Sequence, residues 1–113
     1  MTLSVHAEQG VVVVTIVGDL DEVHAAELNQ ALDQLWTDGQ RHFVLDLGQV
    51  AFIDSAGLAA LVRCFKRVQS SMGRVLLAAL QPEVQRVFTL TRLDRAFEIC
   101  PDVAAAIQHR KGS

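Results

Sequence analysis

Cysteine is scarce in this chain: Cys64 and Cys100 are the only two in 113 residues, and they lie far apart. That leaves no disulfide framework, and with no basic-then-apolar leader in "MTLSVHAEQG" the expected setting is the reducing cytoplasm. No apolar run approaches the roughly eighteen residues of a membrane span, so direct membrane insertion is not expected. Aromatic residues make up 5% and nowhere interleave with a basic cluster, while ten Lys and Arg against thirteen Asp and Glu give a net charge of −3. A phosphate backbone finds no track here, and nucleic acid is not expected as a partner. No linker-like stretch, internal repeat or low-complexity segment divides the chain. Residues 1–113 therefore read as one domain with a single core over about 3–107 and a frayed polar tail at 108–113.

Half the residues are apolar, and their spacing orders the chain. "TLSVHA" alternates with Leu3, Val5 and Ala7 on one face, "EQG" supplies a turn, and "VVVVTIV" is a β-branched run, which together predict an opening hairpin. Val23 to Trp36 follows at helical spacing, with Val23, Leu28, Ala31, Leu32 and Leu35 as the apolar stripe, Asp21 as N-cap and Gly39 at the C-terminal cap. "HFVLDL" reads as a strand buried on both faces. The next helix carries Leu58, Leu61, Val62, Phe65 and Val68 as its stripe, with Arg63, Lys66, Arg67 and Ser70 facing away. A strand in "GRVLLAAL", a helix opened by Pro82, a short strand in "AFEIC" and a last helix in "PDVAAAIQH" complete the chain. The alternation predicts an α/β fold with a mixed, mostly parallel sheet of about four to five strands, one antiparallel strand at its start and about four helices.

The stretch "FIDSAGLAALV" sets Ser55 between Asp54 and an Ala56–Gly57 pair, directly before a helix. Three roles suit a serine there. As an N-cap, its hydroxyl would accept from a backbone N–H one turn on. A nucleophile elbow asks for glycine two residues either side; Gly57 fits the second place, but Ile53 stands at the first. A triad would also need a later histidine, and His109 in the tail is the only one, so an enzyme is not expected. As a phosphoacceptor, Ser55 would carry about −1.5 to −2 charges at a helix N-terminus, where backbone N–H groups favour an anion.

"GDLDEVHAAELNQAL", "HFVLDLGQVAFIDSAGLAALV" and "GRVLLAALQPEVQRVFTLTRLDRAFEI" together resemble the STAS domain of bacterial anti-sigma-factor antagonists, from near Leu3 to near Ile107. The resemblance rests on Asp54, Ser55, Ala56, Gly57 and Leu58 and on the upstream Gly18 to Asp21. It implies the STAS fold and a stand-alone, non-enzymatic binding module. It further implies that Ser55 is phosphorylated by a partner that is both anti-sigma factor and serine kinase, with a histidine-kinase-like ATP-binding fold. The unphosphorylated form would bind that partner and free the sigma factor, and a metal-dependent serine phosphatase would reverse the modification. Asp21, Asp54, Ser55, Ala56, Gly57 and Leu58 are the partner-binding residues it implies, with Asp21 and Asp54 also open to reading as a helix cap and a turn acid. Two other uses of the same fold remain open: a partner switch with a non-sigma client, and a cytoplasmic subunit of a membrane transporter complex.

His6, His24, His42 and His109 are spread over different elements with no Cys or carboxylate at ligand spacing, so no metal is expected. No glycine-rich phosphate loop accompanies the isolated Gly57 and Gly73, and no cofactor is expected. Cys64 reads as a packed thiol, and Trp36 as cover for the edge of the core.

Overall fold

The structure, a computed structural model, describes residues 2–111. Its elements are β1 (Thr2–Glu8), β2 (Val11–Val17), α1 (Glu22–Thr37), β3 (His42–Gln49), α2 (Ser55–Gln69), β4 (Arg74–Ala78), α3 (Pro82–Leu90), β5 (Glu98–Cys100) and α4 (Val103–Lys111). The five strands lie in sequence order, β1 antiparallel to β2 and each later pair parallel. This is the α/β arrangement, with one antiparallel strand at its start, that the alternation implied. Gln9 and Gly10 turn the opening hairpin at φ values of 53° and 81°, the left-handed pair that a two-residue hairpin loop requires.

Side-chain alternation splits the core in two. Val12, Val14, Ile16, Phe43, Leu45 and Leu47 face α1, α2 and α3. Val11, Val13, Val44 and Leu76 face α4, which contributes Ala106 and Ile107. β2 and β3 are thus apolar on both sides because both sides are covered. Cys64 is buried on the first face, and burial pushes its thiol up to about 11.

Several expectations need adjustment. Val23 belongs to no buried stripe; it is 72% exposed, because at 3.6 residues per turn it lies on the face of α1 opposite the buried Ala25 and Leu32. Arg63 and Arg67 leave the core but turn onto α1, where their guanidinium groups reach the Asp33 carboxylate at 2.9 and 2.7 Å. That pairing is largely solvated and contributes at most about 1 kcal/mol. A short 3-10 turn at Leu93–Arg95 stands between α3 and β5, where periodicity gave no signal. Helix α4 runs on to Lys111 through a stretch expected to fray, and residues 112 and 113 lie outside the described residues.

The tail is anchored by charge. Glu98 on β5 accepts from Arg74 Nε at 2.9 Å and Nη2 at 2.6 Å and also contacts His109 of α4. The Arg74 hydrogen bonds hold the Glu98 carboxyl below the usual carboxylate range against an opposing effect of burial. A depressed folded value means that the stabilisation is present above the unfolded value and is lost as pH falls through the folded one. Glu98→Gln is therefore expected to lower the urea midpoint at pH 7, and the gap to the unmodified protein should close below about pH 4. An equal gap at pH 7 and pH 3 would mean that the Glu98 charge stabilises nothing.

Candidate functional site

The site lies where the parallel strands end. β2 and β3 lose their regular register between Thr15 and Val17, then continue as a looser zipper through the loops beyond. Gly18 N donates to Gln49 O at 3.1 Å, Leu20 N to Phe52 O at 2.9 Å, and Asp54 N to Leu20 O at 3.2 Å. Leu20 and Ile53 form a parallel bridge, both side chains buried. "GDLD" and "FIDS" are thereby held side by side, although 32 residues separate Glu22 from Asp54.

Two aspartates finish the job. Asp21 caps α1, its Oδ1 accepting from His24 N at 3.0 Å, and this bond is the main reason its carboxyl is lowered from the ordinary value. Asp54 caps α2, its Oδ1 accepting from Gly57 N at 3.0 Å. Its other oxygen accepts from Glu22 N at 3.1 Å, so one carboxylate satisfies orphan donors at the N-termini of both helices. A capping carboxylate contributes about 1 kcal/mol per helix, and here it also fixes the two helix starts relative to each other.

Ser55 is therefore not the cap. It is the first residue of α2 and is exposed, its hydroxyl released from capping by Asp54. Adjacent Asp and Ser are both good caps, and the sequence pattern left a slip of one residue between them. Because Asp54 already holds the Gly57 N–H, an anion on Ser55 would find part of the helix N-terminus occupied.

Gly57 explains the glycine of the motif. A Cβ there would lie 2.3 Å from Leu20 O and 2.9 Å from both Ile53 Cγ1 and Leu20 Cγ, so the first turn of α2 rests directly on the Leu20 backbone. Ala56 and Leu58 are half-buried against the core. Of the six expected partner-binding residues, Ser55 alone is exposed; Gly57 is buried, and Asp21, Asp54, Ala56 and Leu58 are half-buried. The exposed apolar groups nearby are Phe52, at 52%, and Val23, at 72%, the latter expected in the apolar stripe of α1. Phe52 was legible only as an apolar residue outside any stripe.

The alternative chemistries find no support in this geometry. His109 sits with Arg74, whose partner across the sheet is His42 at the start of β3, whereas Ser55 follows the end of β3. Histidine and serine are at opposite ends of the sheet. His6, His24 and His109 each sit beside one carboxylate, Glu8, Asp21 and Glu98, but among the described residues no three ligand-type side chains converge. No helix of the described residues is long and apolar enough to cross a membrane.

A profile of the STAS domain matches residues 2–106, and the chain belongs to that family. It is a binding module and not an enzyme. RsfB of Mycobacterium tuberculosis, named as an anti-sigma-F factor antagonist, is 28% identical over 112 residues, covering 99% of this chain and 91% of its own. The crystal structure of an anti-sigma factor antagonist from Mycobacterium paratuberculosis is 31% identical and superposes with a TM-score of 0.87, over 96% of this chain and 92% of that one. Bacillus SpoIIAA in its phosphorylated form has a TM-score of 0.76 over 96% and 98% of the two chains, and at 17% identity shares the fold alone.

Proposed function

We propose that the whole chain, residues 1–113, is a single STAS domain acting in the cytoplasm as an anti-sigma factor antagonist switched at Ser55. In its unphosphorylated form it binds an anti-sigma factor that is also a serine kinase with a histidine-kinase-like ATP-binding fold, and the sigma factor goes free. Phosphorylation of Ser55 ends that binding, and a metal-dependent serine phosphatase restores it. The observation that carries this reading is the exposure of Ser55 on a frame that does not use its hydroxyl. Asp54 caps both helices, so the serine is presented rather than consumed. The names of RsfB and of the Mycobacterium paratuberculosis protein support the sigma-factor branch, and the phosphorylated form of SpoIIAA supports a phosphate on this fold. Asp21, Asp54 and the start of α2 through Leu58 form the platform that the partner meets.

Mass spectrometry of the protein from its native cells, during growth and after stress, tests the switch. One phosphate on Ser55 with changing occupancy is the expected result, absent from Ser55→Ala. An unmodified Ser55 under every condition, with stable co-purification of a permease and its ATPase, would replace this reading with that of a transporter subunit.

A further inference from the structure

β1 forms one edge of the sheet, and among the described residues no element covers its outer side. Its register with β2 runs unbroken from Thr2 opposite Val17 to Glu8 opposite Val11, and β2 is its one substantial neighbour. Every residue of the strand except Leu3 is exposed, Val5 at 47%. Folded proteins blunt such edges with lysine, proline, a bulge or a covering element, because alternate backbone N–H and C=O groups stand unpaired there. β1 has none of these devices; its only acid is Glu8, at one end, with His6 at 3.5 Å.

We propose that β1 pairs with β1 of a second copy of this chain, antiparallel about a two-fold axis through Val5, making one continuous sheet. The strand is self-complementary in that register. Val5 meets its own counterpart, Leu3 meets Ala7 and Ser4 meets His6, so apolar groups meet on the face that carries α1 and polar groups meet on the other. Thr2 meets Glu8, which leaves the two Glu8 side chains roughly 20 Å apart, about two and a half Debye lengths at physiological salt. A slip of one residue would set Val5 against His6 and Leu3 against Glu8, so the alternation itself selects the register. Centring on Val5 uses all seven residues of the strand. The antiparallel arrangement sends the two Ser55 loops to opposite ends of the joined sheet, so the pairing is compatible with the switch and does not depend on it.

Cross-linking and sedimentation test the pairing. Directly opposed residues of an antiparallel pair have Cα atoms about 4.5–5.5 Å apart, within disulfide reach. Val5→Cys in a Cys100→Ser background is expected to oxidise to a covalent dimer, whereas Leu3→Cys, roughly 14 Å from its own counterpart, stays monomeric. In sedimentation equilibrium the unmodified protein should move towards dimer between about 10 μM and 1 mM. Val5→Lys, which places like charges opposite each other, should raise the dimer Kd at least about tenfold with an unchanged circular dichroism spectrum. Leu90→Lys, an exposed site on α3, should leave it unaltered. A protein monomeric at about 1 mM, a dimer indifferent to a folded Val5→Lys, or Leu3→Cys cross-linking as readily as Val5→Cys would each overturn the proposal.

Discussion

Phosphorylation of Ser55 is expected to weaken binding of the anti-sigma factor at least about a hundredfold, with the fold unchanged. The modification adds about −1.5 to −2 charges at an exposed position flanked by Asp54 and close to Asp21 and Glu22. A partner seated on Ser55 must desolvate that phosphate and accommodate its bulk beside carboxylates already committed to the helix caps. Unfavourable charge juxtaposition at an interface costs several kcal/mol, and each 1.4 kcal/mol is tenfold in affinity. Ser55→Asp adds one charge and less volume, so its loss should be smaller and in the same direction. Ser55→Ala removes an exposed hydroxyl that caps nothing, so stability should stay within about 0.5 kcal/mol and binding should become constitutive. Calorimetric titration of the anti-sigma factor with the unmodified, phosphorylated, alanine and aspartate forms gives the comparison. Equal affinities across the four would remove Ser55 from the interface.

Gly57→Ala is the substitution expected to damage the frame most. In an ordinary helix interior the change would stabilise by about 1 kcal/mol through backbone entropy. Here the new methyl would stand 2.3 Å from Leu20 O, a backbone atom that cannot yield without stretching its hydrogen bond from Asp54 N. Overpacking of this kind costs about 1–3 kcal/mol and more where backbone is involved, so the clash outweighs the propensity gain. A net loss of about 2 kcal/mol corresponds to a fall of roughly 10 °C in Tm for a domain of this size. Binding should fall as well, because the first turn of α2 must lift away from "GDLD". A Gly57→Ala protein as stable as the original would show that Leu20 can move, leaving the motif glycine to serve the partner alone.

These two residues also mark the limit of what the sequence discloses. Element order was legible because β-branched runs and helical spacing alternate cleanly, and the burial of β3 on both faces followed from the apolar residues on both sides of "HFVLDL". Asp21 as a cap was legible too, since an acid before a periodic segment has a local reason to be there. The division of labour between Asp54 and Ser55 was not, because it is set by Glu22 N, an atom far away in the chain that chooses the aspartate. The exposure of Val23 was legible but misread: two residues before buried Ala25 and nine before buried Leu32, it falls on the opposite face of a 3.6-residue helix. Gly57 was visible as part of a motif, yet its reason lies in the Leu20 carbonyl, which no local pattern encodes.

Trp36 offers a practical use of this geometry. It is the single tryptophan, held at the C-terminal end of α1 with the Arg41 guanidinium 3.8 Å and that of Arg67 5.2 Å from its ring centre. Fourteen residues along α1 separate it from Glu22, which is about 20 Å of helix. Its fluorescence is therefore an intrinsic gauge of whether α1 and α2 remain docked, since Arg67 leaves the ring when they separate. Occupation of the Ser55 platform happens at the far end of the same helix, out of range of the indole. Emission can thus monitor the integrity of every variant during a titration while leaving the binding signal to a label placed elsewhere.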